Sequence, residues 1–344
     1  MAPEEENLFY HLVAISTGGD YASIRRAKHN CANWRTTYER LSGSEKVSVP
    51  EKELGKLTEQ NIRLVLYEDI EFPPLLREIP HPPFGIYVRG ILPANDASGI
   101  AIVGTRRATP EGKSTARRFA AELARAGIVI VSGLAFGVDA AAHEGCLDAR
   151  GTTIAVLACG LAQVYPRNNE PLARHILANG GAIISEYPPD MPAYPSRFLE
   201  RNRIVSGLTK GTLVVEAPER SGSLATTRFA LEQNRDVFVV PGPVTHPNFK
   251  GSHALIRQGA ELVTTPGDIL ESYGVTKEQA AVPAFAGTPE EKMIFEILAA
   301  SGSPQDIDKI INMTKLEPRI ANQTVSFLLI KGIIKEDGAG YMLN

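Results

Sequence analysis

The chain has 344 residues, 43% hydrophobic and 22% charged, with 36 Lys and Arg against 39 Asp and Glu for a formal charge of −3. That length exceeds one ordinary core and fits two or three domains, while no apolar run approaches the ~18 residues of a membrane helix, which excludes a helical membrane protein. The acidic start MAPEEENLF lacks the basic and apolar regions of a signal peptide, and three cysteines (Cys31, Cys146, Cys159) without a CxxC spacing fit a reducing compartment, so the expected location is the cytoplasm.

Residues 1–72 are acidic, with weak helical periodicity around Leu8–Ile15 and Tyr21–Leu41, and read as a small helical domain. Gly18, Gly19 and Gly43 would suit the turns of a helix-hairpin-like nucleic-acid module, but a packing or spacer domain is the favoured reading. The proline-rich stretch FPPLLREIPHPP (72–83) cannot continue a helix and marks a boundary.

From residue 73 to 273 apolar β-branched runs alternate with helical segments. The expected strands are 85–88, 100–103, 128–131, 153–157, 182–184, 212–215, 237–240 and 261–263. Alternation of this kind defines an α/β fold, a Rossmann-like doubly wound sheet. Helix-to-strand connections are short (RAG, ANGG, TKGT), whereas strand-to-helix connections are long and carry glycines and polar groups: GTRRATPEG, SGLAFGVD, ACGLAQVYPRNN, SEYPPDMPAYPSRF, EAPERSGSL and PGPVTHPNFKGSH. Ligands of such sheets bind beyond the carboxyl ends of the strands, so all six loops are expected to converge on one site. This segment alone has a positive balance, 20 Lys and Arg against 18 Asp and Glu, and 17 of the cations are arginine, which holds phosphate bidentately and stacks on bases.

The loops supply the candidate residues. Gly104, Arg106 and Arg107 stand where a strand meets a helix, where free N–H groups and the helix dipole attract anions; two surface arginines paired with Glu111 are the alternative. The turn is neither GxGxxG nor GxxxxGKS, which disfavours a dinucleotide or a hydrolysed triphosphate. Ser132, Gly133 and Gly137 let the backbone approach a ligand closely. Asp139 and His143, four residues apart, read better as a capping carboxylate with a packed histidine than as an acid/base pair or, with Cys146, a metal site. The segment PSRFLERNRIVSG (195–207) interleaves Phe198 with Arg197, Arg201 and Arg203, the pattern of a single-strand site, although Phe198 alone would equally suit a core. Ser221, Gly222, Ser223 and Thr226 form a second anion nest at a helix start. Arg167 and Lys250 add cations from neighbouring loops.

An alanine-rich linker covers 274–287. Residues 288–344 read as three helices and a two-stranded wing, a winged helix whose 6 cations against 8 anions argue against tight duplex binding and leave protein contact and weak DNA contact open.

Taken in order, IAIVGTRRATPEG, IVSGLAFGVDAAAHEGCL, GTTIAVLACGLAQVYPRNN, GAIISEYPP, RFLERNRIVSGL, LVVEAPERSGSLATTRFALEQNRDVFVVPG and ALIRQGAELV resemble the DNA-processing protein A family (DprA, also called Smf). The resemblance covers residues 72–273. It implies an extended Rossmann domain that binds and protects single-stranded DNA and loads the RecA recombinase onto it during natural transformation. It also implies no catalysis, no cofactor and no metal, and dimerisation through the Rossmann domain. Arg106, Arg167, Phe198, Arg201 and Asn202 match the family's DNA-contact motifs. The chain departs from the family at Phe136, where a basic residue is usual, and in FLERNR, where FPxRNR is commoner. The alternative is a nucleotide-hydrolysing enzyme of the LOG or lysine-decarboxylase-like Rossmann class. APERSGSLATTRFALE lacks the PGGxGTxxE signature of those enzymes, but Glu216 and Glu186 would be available as acids.

Overall fold

The structure is a computed structural model that describes residues 3–41, 50–275, 287–301, 304–338 and 340–343. The chain forms two compact units, 1–275 and 276–344. Most of the linker expected at 274–287 lies outside the described residues. Among those described, no helix is long and apolar enough to cross a membrane.

The first unit begins with helices α1 (Pro3–Ser16), α2 (Tyr21–Lys28), α3 (Trp34–Arg40) and α4 (Pro50–Glu59), followed by strand β1 (Arg63–Leu66) and the short helix α5 (Pro74–Arg77). The chain then runs β2 (Gly85–Gly90), β3 (Gly99–Val103), α6 (Pro110–Arg125), β4 (Val129–Ser132), α7 (Val138–Asp148), β5 (Thr153–Leu157), α8 (Glu170–Ala178), β6 (Ala182–Ser185), α9 (Pro195–Gly207), β7 (Gly211–Val214), α10 (Gly222–Glu232), β8 (Asp236–Val239), α11 (Lys250–Arg257), β9 (Glu261–Leu262) and α12 (Pro266–Ser272). The strands form one sheet in the order β1-β2-β6-β5-β4-β3-β7-β8-β9. Neighbours from β6 through to β9 pair in parallel; β2 runs antiparallel to both β6 and β1. All eight expected strands are present, with bounds displaced by at most two residues.

The order reverses at β3: the chain moves from β3 to β4 on one side, and β7 later pairs with β3 on the other. A crevice therefore opens beyond the carboxyl end of β3, where the chain leaves through Gly104 to Arg107. The parallel strands other than the edge strand β9 are buried on both faces, which explains their Ile, Val and Ala runs.

The described elements α1 to α4 and β1 lie in the same compact unit as the sheet. The segment RLVL, too short and too isolated among polar residues to read as a strand, enters the sheet as β1 through β2. Tyr10 and Trp34, edge to face at 4.9 Å, pack in the same core as Leu134, Ala155 and Leu157, and Trp34 meets Phe84 at 5.5 Å. The second unit holds α13 (Pro289–Ser301), α14 (Ile307–Thr314), α15 (Pro318–Ile330) and an antiparallel hairpin of β10 (Ile334–Asp337) and β11 (Gly340–Leu343). Its core is Ile294, Leu298, Ile310, Val325, Leu328 and Ile334, and the arrangement is a winged helix.

Trp34 is the only tryptophan in the chain, so its fluorescence reports on the N-terminal helices alone. Because its core is shared with the sheet, urea unfolding followed by Trp34 fluorescence should coincide with the loss of hydrogen-exchange protection in β3, β4 and β5. An earlier fluorescence transition would mean that residues 1–72 fold as an independent domain.

Candidate nucleic-acid interface

The crevice at the switch point is a cavity of about 560 Å3. It is built from the β3–α6 turn, the ends of β4 and α7, the N-terminal half of α9 and the start of α10.

The β3–α6 turn is held from beneath by Glu216, which is fully buried at the end of β7. One of its carboxylate oxygens accepts from the Thr109 hydroxyl at 2.5 Å, and the other accepts from Thr109 N at 3.1 Å and from Asn248 Nδ2 at 2.8 Å. Asn248 also donates to the carbonyl of Arg107 at 3.1 Å, and Thr105 N donates to the carbonyl of Glu216 at 2.8 Å. Thr109 caps α6 by accepting from Gly112 N. Gly104 is required because a Cβ there would meet Val138 Cγ2 at 2.5 Å. With its backbone fixed this way, the turn presents Arg106 and Arg107 exposed, and among the described residues neither forms an ion pair with Glu111 or any other acid. The Arg106 guanidinium instead lies 4.9 Å from the centre of the Phe198 ring, and Tyr165 meets that ring edge-on at 5.5 Å. Tyr165 is 49% exposed.

Helix α9 crosses the carboxyl ends of β4 and β5, and Arg201 anchors it there. This side chain is 5% exposed, and its Nη1 donates to the carbonyls of Gly133, at 2.8 Å, and Val156. A Cβ on Gly133 would lie 2.4 Å from Nη1, so glycine makes room for the guanidinium. Asp139 reaches back to accept from Gly133 N at 3.1 Å and Ala135 N at 3.3 Å, closing the loop before α7 rather than capping that helix. Burial raises the Asp139 carboxyl above the usual carboxylate range, opposed by the Arg201 charge and those two N–H groups. His143 packs below, its Nδ1 at 2.7 Å from the Thr153 hydroxyl, and burial lowers it from 6.5 to about 3. Among the described residues no cluster of His, Cys, Asp or Glu could hold a metal.

Across the cleft, Ser221 caps α10 by accepting from Ser223 N, and its hydroxyl lies 2.6 Å from that of Ser223. Asn202 Nδ2 donates to the carbonyl of Gly222 at 3.2 Å, tying α9 to this helix start.

Of the residues singled out in the sequence, Gly104, Arg106, Arg107, Gly133, Phe198, Arg201, Asn202, Ser221, Gly222, Ser223 and Thr226 line the cleft. Six others are not among its lining. The Ser132 hydroxyl is buried and donates to the carbonyl of Ile102 at 2.7 Å. Gly137, at φ 80°, packs where a Cβ would lie 2.3 Å from the carbonyl oxygen of Thr105. Arg197 donates to the carbonyls of Pro192 and Gly18, between the rings of Tyr187 and Tyr194 at 4.6 and 4.8 Å. Arg203 is buried against Glu186 at 2.6 Å on another face of α9. Arg167, between β5 and α8, and Lys250, the first residue of α11, are exposed and outside the lining of the cleft. Sequence reasoning passed over three residues: Tyr165, Arg220 and Asn248. The first two lie within motifs already noted, Tyr165 in ACGLAQVYPRNN and Arg220 in EAPERSGSL, whereas Asn248 carries no local signal.

Fold and site together define a doubly wound α/β protein with a cationic, aromatic cleft at its switch point. The sequence profile of DNA recombination-mediator protein A matches residues 63–274. Protein Smf of Escherichia coli is 45% identical over 222 residues, 64% of this chain and 59% of that protein; DprA of Bacillus subtilis is 40% identical over 231 residues, 67% and 77%. The matched region thus spans about three fifths of the Escherichia coli relative. DprA from Streptococcus pneumoniae superposes with a TM-score of 0.60 at 34% identity, covering 74% of this chain and 86% of that one. DNA processing protein A from Helicobacter pylori, solved for its single-stranded DNA binding mode, gives 0.55 at 31% identity over 62% and 97%. The chain belongs to the DNA recombination-mediator protein A family.

Two predictions separate structural from surface roles. Arg201→Ala leaves two buried carbonyls without a donor and Asp139 without its compensating charge, so it should cost ~3 kcal/mol or more in urea unfolding, while Arg106→Ala should stay within ~0.5 kcal/mol. The second concerns His143. Its folded pKa lies below the unfolded one, so the unfolded state takes up the extra proton and stability falls as pH drops from 6.5 toward 3. The slope contributed should approach ~1.4 kcal/mol per pH unit below pH 6, and a difference of that size should separate the wild type from His143→Leu in urea midpoints measured at pH 7 and pH 5.

Proposed function

We propose that this chain binds single-stranded DNA along the α9 cleft through its 73–273 domain, protects it, and loads RecA recombinase onto it during DNA uptake by natural transformation. In this reading it is a cytoplasmic binding protein rather than a catalyst, dimerises through the Rossmann domain, and uses the 288–344 domain for partner contacts. The observation that carries the reading is the Arg106–Phe198–Tyr165 stack beside the α10 start: an exposed cation on an aromatic pair, next to a helix N-terminus, is the combination that grips phosphates and stacks unpaired bases. The single-strand binding mode described for the Helicobacter pylori relative agrees with it. Nucleotide hydrolysis is the weaker reading, because both candidate acids are already engaged, Glu216 by Thr109 and Asn248 and Glu186 by Arg203.

The exposed cations lining the cleft are Arg106, Arg107 and Arg220, and in this reading they form its phosphate track, Arg201 being buried and Arg167 outside the lining. Fluorescence anisotropy with a labelled oligonucleotide across a salt series tests the assignment. Three contacts give a slope of about −2 in log affinity against log salt, and Arg106→Ala should make it shallower by about 0.7. Phe198→Ala and Tyr165→Ala should each weaken binding by ~1–3 kcal/mol at unchanged slope. An unchanged slope for Arg106, Arg107 and Arg220 variants alike would place the strand elsewhere.

A further inference from the structure

A second cavity, about 620 Å3, lies on the other side of α9, between that helix and α2. Phe198, Arg201, Asn202 and Val205 line the cleft, whereas Glu200 and Arg203, roughly half a turn away, line this cavity. Tyr21, His81 and Phe229 give it aromatic walls; Arg25 and Arg26, in the last turn of α2, are exposed among its lining residues.

The charges here are unequally engaged. Arg203, 6% exposed, gives Nη2 to both oxygens of Glu186 at 2.6 and 2.8 Å, while its Nη1 is buried with no hydrogen-bond partner among the described residues. The same guanidinium lies 5.1 Å from the centre of the Tyr21 ring, so Arg203 joins the aromatic wall with one charged donor still unspent. The two acids lining the cavity are occupied: Asp20 caps α2 by accepting from Ser23 N at 2.7 Å, and Glu200 accepts from the Tyr187 hydroxyl at 3.0 Å. Among the described residues Arg25 and Arg26 form no ion pair. An aromatic chamber with one orphan buried donor and two unpaired arginines matches a planar heterocycle that bears acceptors and a phosphate.

We propose that this cavity binds a nucleoside monophosphate, with its base against Tyr21 and Phe229, an acceptor of the base at Arg203 Nη1, and its phosphate at Arg25 and Arg26. The unit is either a free nucleotide or the phosphorylated end of a strand. The site is separate from the cleft and does not depend on the strand-binding reading.

Calorimetric titration of the full chain with AMP tests it. AMP should bind, and inorganic phosphate should bind at least tenfold more weakly because it lacks the base. Ala22→Trp fills the cavity from an exposed position on α2 and should weaken AMP at least tenfold while leaving the affinity for an unphosphorylated oligonucleotide unchanged; the double variant Arg25→Glu, Arg26→Glu should also weaken AMP at least tenfold. Arg106→Ala, in the cleft, should leave AMP binding intact. Displacement of AMP by a 5′-phosphorylated oligonucleotide, but not by its unphosphorylated form, would identify the strand end as the source; persistence of AMP would identify the free nucleotide. No AMP binding at millimolar concentration, equal binding of phosphate, or loss of AMP binding in Arg106→Ala with Ala22→Trp unaffected would overturn the proposal.

Discussion

The geometry of both cavities depends on how the Arg201 guanidinium is buried. It ties α9 to the carbonyls of Gly133 and Val156 at the ends of β4 and β5, in space that only a glycine at 133 leaves open. Because a helix turns by a fixed angle per residue, holding Arg201 in place sets the rotation of the whole segment. Phe198 then faces the crevice beyond β3, and Arg203 faces α2. Burying an arginine is costly, and here two carbonyls answer Nη1 and the nearby Asp139 carboxyl opposes the charge, while Nε is buried with no hydrogen-bond partner among the described residues.

A similar arrangement supports the other wall of the cleft. Glu216 is removed from solvent and engaged by Thr109 and Asn248, so its charge shapes the β3–α6 turn instead of reaching a ligand. The consequence falls on Arg106 and Arg107, whose backbone is settled before any anion arrives. Less ordering entropy is then lost on binding than if the turn had to be organised by its ligand. Arg106 also rests on Phe198, so one ring links the rigid turn to the rigid helix.

How far this was readable from the residues varied with the physics involved. The parallel strands announced themselves because both of their faces are buried, which demands continuous β-branched runs such as IAIV and VIVS. Convergence was expected of all six strand-to-helix loops; five supply residues to the cleft, while the β8–α11 loop only supports it from beneath through Asn248. Strand β1 was not readable, since RLVL gains its place only by pairing with β2, and neither was the joining of Trp34 to the core of the sheet. In RFLERNR, Arg197, Arg201 and Arg203 look alike, yet one lies between two tyrosine rings, one is bonded to strand-end carbonyls and one pairs with Glu186.

The sequence by itself determined the fold class, the edge of the sheet at which the cleft opens and the family, because periodicity, glycine placement and motif order are local properties that each segment carries on its own. Only the tertiary structure decided which arginines meet solvent and which are enclosed, that Tyr165 joins Phe198, and that α9 has a second cavity behind it. Those outcomes depend on which carbonyls and carboxylates lie within hydrogen-bonding reach once distant segments pack, and a charge is buried or exposed according to that environment rather than to its neighbours in the chain.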